Sequence, residues 1–150
     1  MRDITIREAG PGDHDHWKSL RKVLWPNCPD EKHSSEIRQI LSSAGIVLIA
    51  EHSEEGIIGF AEVSLRSDHV EGTSMSPVPY LEGWFVDGRF RRKGIGGDLI
   101  ERATDWALQN GYCELASDSE LTNEESIQCH SHLGFKEVGR TVHFLKSIKQ

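Results

Sequence analysis

The chain has 150 residues, 37% hydrophobic and 27% charged, with 24 Asp and Glu against 17 Lys and Arg and a formal net charge of −7. This is the make-up of one soluble domain over residues 1–150, long enough to bury roughly two thirds of its unfolded surface. The acidic balance argues against nucleic acid as the main partner and suits a cationic one, and no apolar run approaches the ~20 residues that span a bilayer.

Ile4-Thr5-Ile6-Arg7 alternates apolar and polar side chains, the period of a half-buried strand, with no apolar signal core around it. Pro11-Gly12-Asp13 breaks the strand, and Asp13 is placed to cap a helix with Trp17, Leu20 and Val23 or Leu24 on one face. That helix must stop at Trp25-Pro26, because the residue before a proline is pushed out of the α region. After a turn at Asn27-Cys28-Pro29, Asp30 or Ser34 caps a second helix carrying Ile37, Ile40 and Leu41. Ile46-Val47-Leu48-Ile49-Ala50 reads as a strand covered on both faces, and Ser53-Glu54-Glu55-Gly56 turns it into a second strand, Ile57 to Leu65. Residues 66–79, rich in Gly, Ser and Pro, read as a mobile loop.

Tyr80-Leu81-Glu82-Gly83-Trp84-Phe85-Val86 is the central strand, and Arg89, Arg91, Arg92 and Lys93 place four cations in the turn that follows. Gly94-Ile95-Gly96-Gly97 then opens a helix with Ile95, Leu99, Ala103, Trp106 and Ala107 on one stripe, ended by Asn110-Gly111. Glycines at a helix start let a ligand approach the unpaired N–H groups of the first turn, where phosphate fits. No Lys-Ser or Lys-Thr follows, as a Walker loop requires, and the last glycine of a dinucleotide fingerprint is missing. Cys113 to Ser117 reads as a short strand, Thr122 or Asn123 begins a helix to His132, and residues 134–139 and 141–145 close the chain as strand. Cys28, Cys113 and Cys129 form no even framework, which fits reduced thiols in a cytoplasm, and the histidine pairs at 14/16 and 130/132 have the wrong spacing for a metal site.

Arg91-Arg92-Lys93-Gly94-Ile95-Gly96, R-x-x-G-x-G directly after an apolar strand, resembles the acyl-CoA pyrophosphate loop of the GNAT family of N-acetyltransferases. The order of elements and the ending His130-Ser131-His132-Leu133-Gly134-Phe135 are similar to that family over nearly the whole chain, which implies an α/β fold with a mixed sheet, the acyl-CoA N-acyltransferase fold. Within the family, the chain looks closest to the aminoglycoside 6′-N-acetyltransferases. The blocks carrying this are Trp17…Leu20-Arg21…Leu24-Trp25-Pro26, the central strand, and Ala116-Ser117-Asp118-Ser119 with Asn123.

The resemblance implies acetyl-CoA as cosubstrate, no metal, an aminoglycoside as acceptor, resistance as the outcome, and a homodimer. Backbone groups of Trp84, Phe85 and Val86 would pair with the pantetheine arm, and the Val86 N–H would polarise the thioester carbonyl. Arg92, Lys93, Gly94, Ile95, Gly96 and Gly97 would hold the pyrophosphate, with Asn123 further along the cofactor. Glu82 is the candidate anchor for the substrate ammonium and base for the attacking amine; its bland reading is a structural ion pair or a water-facing strand edge. Asp118 and Trp25 are candidates for a second ammonium contact and a flat wall against a sugar ring, or else a turn residue and a core aromatic. His69 is a candidate to line the cleft or a solvated loop residue. His130 stands where many relatives carry a tyrosine that protonates the leaving thiolate, a role histidine or water can take. The rival readings are a GNAT enzyme acting on a polyamine, another small amine or a protein amine, and a non-catalytic acyl-CoA sensor.

Overall fold

The computed structural model describes residues 3–149, and the chain divides into two compact units, Met1–Asp118 and Ser119–Gln150. In the first unit the alternating N-terminal run forms β1 (Ile4–Glu8), and the stripe that follows forms α1 (His14–Leu24). Trp17 and Leu20 are buried and Leu24 packs on the core, whereas Val23 faces solvent. Asp13 does not cap this helix with its side chain. Its carboxylate is taken by Arg7, at 2.8 and 2.9 Å, and by the Gly10 N–H. A bidentate guanidinium is a stronger partner than a lone backbone donor, and it holds the Asp13 carboxyl below its usual range.

The helix ends where Trp25-Pro26 requires, and α2 (Asp30–Leu41) begins after Pro29. Neither Asp30 nor Ser34 caps it; Asp30 is the first helical residue and pairs with Lys18 and Lys22 of α1, joining the two helices. The hairpin forms as β2 (Ile46–His52) and β3 (Gly56–Arg66), followed by β4 (Val78–Val86). Residues 67–77 cross between β3 and β4, held by Ser76 Oγ on the Ser67 carbonyl and the Ser74 N–H on Glu114.

After β4, α3 (Ile95–Gln109) buries Ile95, Leu99, Ala103 and Ala107, with Trp106 half-buried at the edge of that stripe. Gly111, at φ +84°, closes it: its N–H reaches Leu108 and the Tyr112 N–H reaches Ala107, a Schellman ending. Because Tyr112 is still engaged by the helix, the strand expected from Cys113 shrinks to β5 (Ala116–Ser117). The sheet order is β1-β2-β3-β4-β5, antiparallel through β4 and parallel between β4 and β5. Val47 and Ile49 join Trp17, Leu20, Ile37, Phe60 and Phe85 in the core under α1 and α2. Ile46, Leu48 and Ala50, also buried, point by alternation to the other face of β2, against which α3 packs.

The second unit contains α4 (Glu124–His132) and a turn with Gly134 at φ +95°. The strand expected over residues 134–145 is absent; residues 135–149 lie outside helix and strand. The alternating pattern is present in that segment, but a ladder needs a neighbour to take its N–H and C=O groups. Val142, Phe144 and Leu145 are 67%, 91% and 95% exposed.

Candidate functional site

The register of β3 against β4 decides where Glu82 points. Val63 faces Leu81 and Glu62 faces Gly83, so Glu82 is the extra residue of a β-bulge, which aims it at Ser64 and Arg66 of β3. Arg66 grips both carboxylate oxygens, Nε on Oε2 at 2.8 Å and Nη2 on Oε1 at 2.6 Å, and the Ser64 hydroxyl also donates to Oε2. The Arg66 guanidinium lies 3.5 Å from the centre of the Tyr80 ring, and the Tyr80 hydroxyl donates to Asp118 at 2.5 Å. Burial and this hydrogen bond push the Tyr80 phenol above its usual range, so it stays a neutral donor.

A cavity of about 920 Å³ opens over Glu82. Its walls are Leu24, Trp25, Pro26 and Asn27 from the end of α1, Glu36 and Ile40 from α2, and Glu62 and Ser64 from β3. The volume suits a small molecule of several rings. Trp25 is held by the Arg21 guanidinium, 4.8 Å from its ring centre, and by Phe60 at 6.4 Å. It lies so close over the bulge that a Cβ on Gly83 would come within 2.5 Å of its Cη2. Gly83→Ala is therefore expected to cost about 1–3 kcal/mol by overpacking and to move the indole, read by thermal unfolding and tryptophan fluorescence. An unchanged midpoint and spectrum would mean that Trp25 is not pinned there.

The floor of the cavity holds a group that the sequence reading passed over. Glu62 is 3% exposed, and its carboxylate accepts from Trp17 Nε1 at 2.9 Å and from Arg21 Nη1 at 3.1 Å on each oxygen. Arg21, 2% exposed, spends its other donors on Glu36 at 2.5 Å and on His33 Nδ1 at 3.2 Å. Burial pushes the Glu62 carboxyl up to about 7, while Arg21 and Trp17 pull the other way. The signal was in the sequence: Glu62 interrupts an apolar strand as Glu82 does.

The far edge of β4 is open. β5 pairs only with Tyr80 and Leu81, so residues 83–86 have no strand on that side among the described residues. The Asp87 N–H donates to Ile58 of β3, so by alternation the Val86 N–H and C=O point away from β3, and the carbonyl accepts from Arg91 Nε at 2.8 Å. Phe85 packs its ring in the core, and Trp84 donates from Nε1 to the Gly96 carbonyl at 3.1 Å, locking the start of α3 onto β4. Gly94, at φ +82°, turns the chain into that helix after Arg92, a non-glycine residue at φ +62°. A left-handed arginine costs about 1 kcal/mol or more, and such strain gathers where a loop is shaped around a ligand. Arg92 and Lys93 are exposed at this turn, Lys93 with its ammonium 5.5 Å from the centre of the Phe90 ring, and Arg89 is paired with Asp87 and Glu55.

A strand with an open edge runs into a glycine turn and a helix N-terminus, and the family model "Acetyltransferase (GNAT) family" matches residues 15–135. The chain belongs to the GNAT family of acetyltransferases. A GNAT relative from Serratia marcescens, named aminoglycoside N(6')-acetyltransferase type 1, is 41% identical over 91% of this chain and 96% of its own. Among solved structures, AAC(6')-Iy in complex with the bisubstrate analogue CoA-S-monomethyl-acetylneamine superimposes with a TM-score of 0.88 at 37% identity, over 97% of this chain and 99% of that one. The 6'-N-acetyltransferase AAC(6')-Ih from Acinetobacter baumannii gives 0.87 at 37% identity, over the same 97% and 99%.

The site expected of a GNAT enzyme is only partly gathered in the first unit. Glu82 and Trp25 line the cavity. Asp118 does not line it, but is joined to Glu82 through Tyr80 and Arg66. The His69 side chain is 84% exposed, 3.4 Å from Glu71, and is not among the residues lining the cavity. In the second unit, Asn123 caps α4, its side chain accepting from the Ser126 N–H at 3.0 Å. His130 Nδ1 lies 2.7 Å from the Ser126 carbonyl, which makes Nδ1 the protonated nitrogen, and its ring meets Phe135 edge-on. Asn123 thus has the capping role that its sequence position also predicts.

Proposed function

We propose that this protein transfers the acetyl group of acetyl-CoA directly to the 6′-amine of aminoglycosides and so confers resistance to them. The observation that carries the reading is the cavity: the carboxylates of Glu36 and Glu82 and the flat wall of Trp25 around a floor in which Glu62 is already paired with Arg21. A polycation with several rings is the ligand such a cleft favours, each charge-assisted contact contributing roughly 1.5–3 kcal/mol. The names of the relatives support the same substrate class.

Acetyl-CoA supplies the acetyl group as a thioester, and the residues present fit it. Along Trp84, Phe85 and Val86 the backbone groups of Trp84 and Val86 face outward and offer it a strand edge, where the Val86 N–H would polarise the carbonyl; Arg92, Lys93 and residues 94–97 offer the pyrophosphate cations and helix N–H groups. Glu82 holds the acceptor ammonium and takes its proton directly or through water, Trp25 stacks on a sugar ring, and Asp118 adds a second negative charge. Asn123 meets the cofactor further along, and His130 returns a proton to the departing thiolate. The chain acts as one domain, residues 1–150, in the cytoplasm, where Cys28, Cys113 and Cys129 remain free thiols. It acts as a homodimer; the exposed apolar side chains of residues 142–145 support that assembly, and sedimentation tests it.

The deciding experiment is thiol release from acetyl-CoA with kanamycin, tobramycin, spermidine and a lysine-rich peptide as separate acceptors, with mass analysis of the product. The expected result is release with the aminoglycosides and one acetyl group on the 6′-amine. Release only with spermidine or peptide would move the acceptor to the rival class, and acetyl-CoA binding with no release would make the protein a sensor.

A further inference from the structure

Glu82 is not waiting with bare oxygens. Oε1 accepts from Arg66 Nη2, and Oε2 accepts from Arg66 Nε and Ser64 Oγ, so the carboxylate is already paired with a cation of the same charge as an acceptor ammonium. Two further features bear on how firmly that cation is held. The pair is only part-buried, with 42% of the Arg66 side chain exposed, so its electrostatic hold is weakened by water. Behind the guanidinium stand the Tyr80 ring and, bonded to the Tyr80 hydroxyl, the Asp118 carboxylate. Arg66 therefore stands between two acidic groups, at the end of β3 where the loop of residues 67–77 begins.

Resting on the acetyltransferase reading above, we propose that Arg66 is a specificity-determining residue: its guanidinium holds the place on Glu82 that the acceptor ammonium takes, and acceptor binding releases it from that carboxylate while the Tyr80 ring and the Asp118 charge behind it remain. The exchange at Glu82 replaces one charge-assisted pair by another and by itself yields little affinity. Binding then depends on what the rest of the acceptor gains against Trp25, Glu36 and the remaining walls. A simple amine gains little from this exchange, whereas a multi-ring polycation gains those additional contacts. The same residue also keeps the Glu82 carboxylate oriented while no acceptor is bound.

The test is steady-state kinetics of wild type, Arg66→Met, Arg66→Lys, Glu82→Gln and the double variant Arg66→Met/Glu82→Gln, with tobramycin as acceptor. Methionine keeps the stem on Tyr80 and removes the charge; the acceptor KM is expected to fall by about fivefold, the scale of a part-exposed ion pair, with the acetyl-CoA KM unchanged. Lysine keeps the charge without the two-point grip and gives an intermediate KM, which judges the proposal even if the methionine variant is unstable. In the Glu82→Gln background the Arg66→Met effect should vanish, because Arg66 acts through that carboxylate. An acceptor KM that rises or stays the same in both Arg66 variants overturns the proposal and leaves Arg66 a structural partner of Glu82. If wild type acetylates spermidine but not tobramycin, the aminoglycoside reading falls and the same comparison with spermidine judges Arg66; no turnover with any amine overturns both.

Discussion

Arg21→Met is expected to destabilise the protein by about 3–5 kcal/mol, the cost of leaving buried carboxylate without its cation. On a chain of this size that lowers the unfolding midpoint by roughly 10 °C or more. Three acceptors lose their donor at once: Glu62, Glu36 and His33 Nδ1. The loss should also depend on pH, with a sign set by Glu62, whose carboxyl rises from 4.5 to about 7 through burial. Below pH 4.5 both folded and unfolded Glu62 are protonated and it contributes nothing. Between 4.5 and about 7 the unfolded chain releases a proton that the folded protein retains, so stability falls as pH rises, by about 3 kcal/mol in total. Without Arg21 the folded carboxyl moves higher still, so Arg21→Met should be least damaging near pH 5 and most damaging near pH 8. His33, kept below its usual range by burial and by Arg21, acts in the opposite sense as pH falls through about 6.5, so the comparison is best made with Glu62→Gln in parallel. Denaturant unfolding across pH 5–8 reads all three, and a pH-independent loss in Arg21→Met would show that Glu62 is not held by that guanidinium. The double variant Arg21→Met/Glu62→Leu should recover part of the stability, because it removes the buried carboxylate while leaving Trp17 Nε1 and His33 Nδ1 without their partners.

Glu82→Gln is expected to lower kcat/KM for an aminoglycoside by about 100-fold or more while acetyl-CoA binds as in wild type. Glutamine keeps the size of the side chain and one accepting oxygen for Ser64 and Arg66 Nε, but its amide nitrogen cannot accept from Arg66 Nη2, and it neither attracts an ammonium nor takes its proton. Two roles separate in the kinetics. Loss of the anchor alone raises the acceptor KM, whereas loss of the base lowers kcat and alters its dependence on pH. A kcat equal to wild type across pH would remove the base assignment and leave Glu82 as an anchor, and an unchanged KM as well would place the acceptor elsewhere. Acetyl-CoA affinity, measured by calorimetry, guards against misreading an unfolded variant.

Much of the candidate site was visible before any coordinates because it is local. The apolar strand into Gly94-Ile95-Gly96-Gly97 specifies strand, turn and helix within a few residues, and Gly94 takes the left-handed conformation that the turn needs. Glu82 was conspicuous as a charge in an apolar run. What the run did not reveal was its partner: Ser64 and Arg66 meet it only because β3 lies alongside β4, and the bulge that aims it is a mismatch between two strands, invisible in either one. Glu62 was overlooked for a related reason, since Arg21 lies 41 residues away and only the docking of α1 on β3 brings it within reach. His69 could not be placed from its loop, because a loop sequence does not say which way its side chains turn.

The amino-acid sequence by itself determined where helices and strands from β1 to α4 can form, the stop at Trp25-Pro26, the glycine turn into α3 and its Asn110-Gly111 ending. Each of these follows from steric limits and side-chain periodicity acting over fewer than ten residues. Tertiary structure decided everything that needs a neighbour: the bulge at Glu82, the open edge of β4, the choice of Leu24 over Val23 for the core, and the Arg21–Glu62 pair. It also decided the C-terminal segment, where a strand-like alternation finds no ladder among the described residues. A period of two says that a segment can be a strand; only an adjacent backbone, taking up its N–H and C=O groups, makes it one.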